Sequence, residues 1–96
     1  MKIPKSFKLL GREFKIEYST TLNHDAGRVG ELDFKRGIIT LHEPNGFSDK
    51  SYIEQTFCHE LVHALFYSIA EDELAQNEKV VDALGGVLHQ ALETMK

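Results

Sequence analysis

His59-Glu60-Leu61-Val62-His63 sets two imidazoles four residues apart, with a carboxylate directly after the first. On an α-helix, positions four apart are separated by about 40° and one turn, so both rings can converge on one metal ion. Glu60 cannot easily join them as a ligand at that phase, but its carboxylate can reach a water on the ion and take its proton. Five histidines and ten glutamates in 96 residues produce the HExxH pattern in about 2–3% of shuffled chains, so its setting decides its weight.

That setting is helical. From Ser51 onward Ile53, Phe57, Leu61, Ala64, Leu65 and Ser68 recur on one face, which predicts a helix over about 51–69, with Ser51 and Glu54 at capping-box spacing. Thr56, His59, Glu60, His63 and Tyr67 fall on the other side, away from the expected core. Cys58 falls with Val62 on the apolar side and reads as a core thiol. Two histidines leave a catalytic zinc site one ligand short, because such sites take three protein ligands and keep a fourth position open. The downstream candidates are Glu71, Asp72, Glu73, Glu78, Asp82 and His89. The first three sit in an acidic break directly after the helix and read as solvated charges, with Glu73-Leu74-Ala75 equally able to form a short helical turn. Glu78 and Asp82 share one face of a second helix, expected over about 77–95 behind Asn77 as N-cap. If that helix packs on the first, Glu78 can complete a metal site and Asp82 can accept a ring N–H from a ligand histidine. The plainer readings are an N-terminal acid favoured by the helix dipole for Glu78 and a solvated position for Asp82. His89, about 16 Å further along the axis from Glu78, remains a minor alternative third ligand. Gly85 and Gly86 each cost a helix about 1 kcal/mol relative to alanine, and Gly85 lies on the Glu78 and Asp82 face, where it implies close approach of two helices. His24 and His42 read as ordinary surface histidines.

The elements that must carry this helix pair come earlier. Phe7 and Leu9, then Phe14, Ile16 and Tyr18, alternate around a turn at Gly11-Arg12, which predicts a β-hairpin. Residues 19–29 read as a loop. Val29, Leu32 and Phe34 lead through Lys35-Arg36-Gly37 into Ile38-Ile39-Thr40-Leu41, a second hairpin ended by Pro44-Asn45-Gly46. Strands within about 6–42 followed by two helices predict a single α+β domain, with a small antiparallel sheet of N-terminal hairpins packed on the helices. The chain has 42% hydrophobic and 27% charged residues, ordinary soluble usage that excludes fibrous and disordered classes. A net charge of −4 with scattered Lys and Arg gives no footprint for nucleic acid or anionic lipid. The single cysteine supports no internal disulfide, the first residues lack a signal-peptide apolar run, and no stretch is long enough to span a membrane. A cytoplasmic location is expected.

His59-Glu60-Leu61-Val62-His63 followed by Glu78-Lys79-Val80-Val81-Asp82 resembles the zincin metallopeptidases, and within them the gluzincins, whose third ligand is the glutamate of an ExxxD segment. Size and N-terminal hairpins are similar to the short phage- or mobile-element-encoded peptidases related to the ImmA/IrrE group. The resemblance implies a zincin-like fold, Zn2+ held by His59, His63 and Glu78, Glu60 as general base and acid, and Asp82 orienting a ligand. It also implies that the strand around Ile38 to Leu41 edges the cleft, where an extended peptide or protein substrate adds by backbone pairing. Only 14 residues separate His63 from Glu78, fewer than in many larger gluzincins, and there is no second subdomain to wall the cleft. Tyr52, Tyr67 and His89 are the candidate oxyanion helpers. The expected activity is hydrolysis of peptide bonds by a metal-activated water. The competing expectation is a non-catalytic, zinc-stabilised module that binds another protein.

Overall fold

The computed structural model describes residues 1–20, 30–43 and 50–96. The predicted loop around His24 and the Pro44-Asn45-Gly46 turn lie outside the described residues. The elements are β1 (Ser6–Leu9), β2 (Arg12–Ser19), β3 (Gly30–Asp33), β4 (Ile38–His42), α1 (Lys50–Ser68), α2 (Asp72–Ala75) and α3 (Glu78–Thr94). The class is α+β, with four strands in one sheet and three helices among the described residues.

Both predicted hairpins form. β1 and β2 pair antiparallel around Leu10 and Gly11, which both have positive φ, and β3 pairs antiparallel with β4. The sheet itself is mixed rather than antiparallel. Its order is β1-β2-β4-β3, and β2 runs parallel to β4 with Ile16 opposite Ile39 and Tyr18 opposite Leu41. The reason is topological: β3 takes the edge of the sheet and β4 pairs between it and β2, which leaves β4 inside the sheet. Period-2 alternation reports which residues face inward and is blind to strand direction.

The registers set positions of one sheet face in rows: Phe7 with Phe14, then Ile16, Ile39 and Leu32, then Tyr18, Leu41 and Gly30. Phe7 stacks on Phe14 at 5.3 Å between ring centres and meets Phe57 of α1 edge-on at 6.1 Å. Ile39, Leu41, Ile53, Phe57 and Cys58 form the buried cluster between sheet and helix.

α1 is packed on two sides. It touches β3 and β4 on one side and α3 on the other, and Ile53, Phe57, Cys58, Val62 and Ala64 are all buried. The expected capping box does not form. Ser51 lies inside the helix and accepts from Gln55, while Glu54 is buried and takes hydrogen bonds from the Met1 ammonium and His89. At the other end α1 closes with Ala70 at φ 60°. Glu71 N–H donates to Phe66 O, and Ala70 N–H donates to Tyr67 O. This Schellman arrangement turns the chain into α2. Asn77 then caps α3, its side chain accepting from Val80 N at 3.2 Å as expected.

Candidate metal centre

His59 and His63 lie in the middle of α1, and Glu78 and Asp82 occupy the first turns of α3. What brings the two helices together there is Gly85, which is buried. A Cβ at that position would stand 3.1 Å from His59 Cα and 3.3 Å from His59 N, both backbone atoms. The α3 backbone therefore rests against α1 at the first histidine, and the acids one and two turns earlier arrive beside the imidazoles. Gly86, with nothing within 4 Å, plays no such part.

The geometry is specific. His59 Nε2 is 3.3 Å from His63 Nε2, Glu78 Oε2 is 3.2 Å from His59 Nε2, and Glu78 Oε1 is 3.3 Å from His63 Nε2. His63 Nδ1 is 2.6 Å from the carbonyl of Ala75, which can only accept, so Nδ1 carries the proton and Nε2 presents a lone pair. Asp82 Oδ1 is 3.5 Å from His59 Nδ1 and biases the second ring the same way. In the tautomers these contacts favour, the two Nε2 atoms and the two Glu78 oxygens all face one point as acceptors, a donor set suited to a cation. The separations also suit one. Donors held at about 2.0–2.1 Å around a tetrahedral zinc lie about 3.3–3.4 Å from one another. The residues present fit the ion.

Glu60 completes the group, with a carboxylate oxygen within 4.8 Å of the histidine donor nitrogens. It is buried, and burial pushes its pKa up. The neighbouring imidazoles oppose that rise, while the Glu78 and Glu31 carboxylates add to it. A carboxyl tuned upward holds a proton more readily than a solvated one.

These groups line a cleft of about 550 Å³, bordered also by Tyr52, Gln55, Thr56 and β3 residues Gly30, Glu31 and Leu32. The edge expectation is corrected here. β4, with Ile38 to Leu41, pairs on both sides and lies inside the sheet; β3 is the outer strand, and it is β3 that borders the histidines. Gly30 permits this, because a Cβ there would meet Thr56 Cγ2 of α1 at 2.6 Å.

The remaining candidates fall elsewhere. Glu71, Asp72 and Glu73 are exposed around the start of α2. His89 sits on the far part of α3, its Nε2 3.3 Å from Glu54 Oε1 in a separate group where the Met1 ammonium is held by Glu54 and Glu93. His42 is buried rather than on the surface, with Nδ1 2.8 Å from Glu43 O. Tyr67 packs on Phe34 at 5.4 Å, so of the three oxyanion candidates Tyr52 is the one in the cleft. The Ala75 carbonyl and the β3 edge escaped sequence reasoning. The only trace of the first was the helical propensity of Glu73-Leu74-Ala75. No protein-family model matches this chain, and neither curated proteins nor solved structures provide a match.

Proposed function

We propose that this chain is a zinc-dependent peptidase of the zincin type, in which His59, His63 and Glu78 hold the ion and Glu60 moves the proton. The observation that carries the reading is the convergence of the two Nε2 atoms and the Glu78 carboxylate within 3.2–3.3 Å of one another, with buried Glu60 alongside. A zinc ion held by these residues would supply Lewis acidity, lowering the pKa of a water toward 7 and polarising a carbonyl.

The protein's own groups do the rest. Glu60 accepts a proton from the water as its oxygen adds to the scissile carbonyl carbon, then delivers that proton to the amine nitrogen as the C–N bond breaks. The Ala75 carbonyl and Asp82 fix the two rings, so neither imidazole spends binding energy on orientation. An extended substrate lies along β3, and Tyr52, which borders the cleft, is the candidate donor to the carbonyl oxygen as negative charge develops there. The chain's acidic balance argues against a nucleic-acid substrate.

Metal analysis and peptide hydrolysis test this together. Purified protein is expected to carry about one zinc per chain. Glu60→Gln keeps the metal and loses turnover, and Glu78→Ala loses the metal. The alternative of a zinc-stabilised binding module has one observation in its favour: the same three ligands join α1 to α3 and would staple them. Under that alternative Glu60→Gln leaves both the metal and the binding activity intact.

A further inference from the structure

β3 ends the sheet on the side of the metal centre, and its neighbours fix which of its backbone groups point outward. Lys15 N–H donates to Gly37 O and Glu43 N–H donates to Ser19 O, so residues 37, 39, 41 and 43 turn their backbone groups toward β2. Ile38 and Thr40 therefore turn theirs toward β3, where they meet Asp33 and Glu31. The N–H and C=O of Gly30 and Leu32 point the other way, out from the edge that borders the histidines. Side chains alternate as well. Position 30 faces α1, since a Cβ there would meet Thr56 Cγ2, so Glu31 stands on the opposite face of the strand, exposed at the rim of the cleft.

The charges around that edge have one sign. Among the described residues, the charged side chains lining the cleft are Glu31, Glu60, Glu78 and Asp82, with no lysine or arginine. One divalent ion balances two of these four carboxylates and leaves the cleft acidic. The Glu31 carboxylate also reaches the chemistry, being one of the charges that lift the pKa of Glu60.

We infer that the cleft selects peptides with a lysine or arginine at the residue paired with Glu31, which makes Glu31 a specificity-determining residue. The inference rests on the peptidase reading and deepens it. A strand that bonds to the outward groups of Gly30 and Leu32 sets its intervening residue opposite Glu31, with both side chains on one face of the sheet. In antiparallel pairing this is the non-hydrogen-bonded kind of pair, in which side chains come closest. A basic side chain there meets an opposite charge, and an acidic one meets a like charge. The two effects act in opposite directions, so exchanging Lys for Glu at that single substrate residue lowers kcat/KM by at least about tenfold at low salt.

The test uses the zinc-loaded full chain and quenched peptides alike but for one residue, which is Lys, Gln or Glu at each position in turn across the scissile bond. At one position Lys is expected to exceed Glu in kcat/KM by at least about tenfold, with Gln between, and the gap is expected to shrink at about 0.5 M salt. Glu31→Gln is expected to narrow that ratio to a few-fold, and Glu31→Lys to invert it. Because a ratio is read, a variant that merely disturbs β3 lowers both rates alike and leaves it unmoved. Equal rates for Lys and Glu at every position overturn the inference while the peptidase reading stands, as does a preference that survives Glu31→Lys. If the wild type cleaves none of the set, the peptidase reading fails, and selectivity is read from fluorescence anisotropy of the same peptides, labelled and titrated with zinc-loaded protein. Tighter binding of the Lys peptide that inverts in Glu31→Lys then upholds the role of Glu31, and equal or absent binding overturns it.

Discussion

Gly85 and Gly86 offer a paired experiment in which one methyl group reports on the metal centre and its neighbour serves as the control. Alanine at either position gains about 0.8–1 kcal/mol of helix propensity. At Gly86 nothing lies within 4 Å, so Gly86→Ala is expected to keep the whole gain. At Gly85 the new Cβ meets His59 Cα at 3.1 Å and His59 N at 3.3 Å, where ordinary contact begins at 3.4 Å. Neither neighbour is the tip of a flexible side chain, so α1 and α3 must part by some tenths of an ångström. Overpacking of that kind costs about 1–3 kcal/mol, which leaves Gly85→Ala between neutral and about 2 kcal/mol less stable than wild type. The same displacement draws Glu78 and Asp82 away from His59 and should weaken zinc binding by about tenfold, the scale on which metal sites respond to lost outer support. Urea denaturation of metal-stripped protein gives the first quantity, and zinc titration against a chromophoric chelator gives the second. If the two alanine variants behave alike in both assays, close helix approach at His59 does not build the site.

Asp82→Ala should lower zinc affinity about 10- to 100-fold with the fold retained, because His59 loses the carboxylate beside Nδ1; unchanged affinity would reduce Asp82 to a surface acid. Ala70→Gly should stabilise the protein by up to about 1 kcal/mol, since Ala70 holds φ 60° at the end of α1, and a thermal melt checks it. Burial alone would raise the pKa of Glu54, but hydrogen bonds from the Met1 ammonium and His89 outweigh it and hold the carboxyl below its ordinary 4.5. A folded pKa depressed in this way stabilises the protein fully above the unfolded value and is lost as pH falls through the folded one. Denaturation curves should therefore weaken from about pH 4.5 downward, and Glu54→Gln should flatten that limb. Coincident acid limbs would show that Glu54 contributes nothing there.

Much of this was legible in the residues. The helical phase of His59 and His63, the position of Glu78 and Asp82 behind the Asn77 cap, and the packing demand of Gly85 are local properties, and local periodicity reports them directly. Strand direction is not local. Ile38 to Leu41 look the same in an antiparallel meander and in the parallel pairing with β2, so nothing local could correct the resemblance when it pointed to that strand as the cleft edge. Glu54 misled in a related way. Its spacing from Ser51 suits a cap, but only the assembled fold shows that the same carboxyl is buried against His89 and the Met1 ammonium. The two-sided burial of α1 was hidden because α3 covers part of the face that carries the histidines, and a helix flanked by two layers shows no single polar stripe.

The two imidazoles are steadied by acceptors of unequal vulnerability. His59 leans on a side chain, Asp82, which a single codon change can delete. His63 leans on the main-chain oxygen of Ala75, which every amino acid possesses. Genetic drift can therefore erode one anchor far more easily than the other. In a mutational scan, tolerance around the second histidine should track the path of the backbone through residues 70–77 rather than the identity of any one residue there, with proline and insertions as the damaging classes.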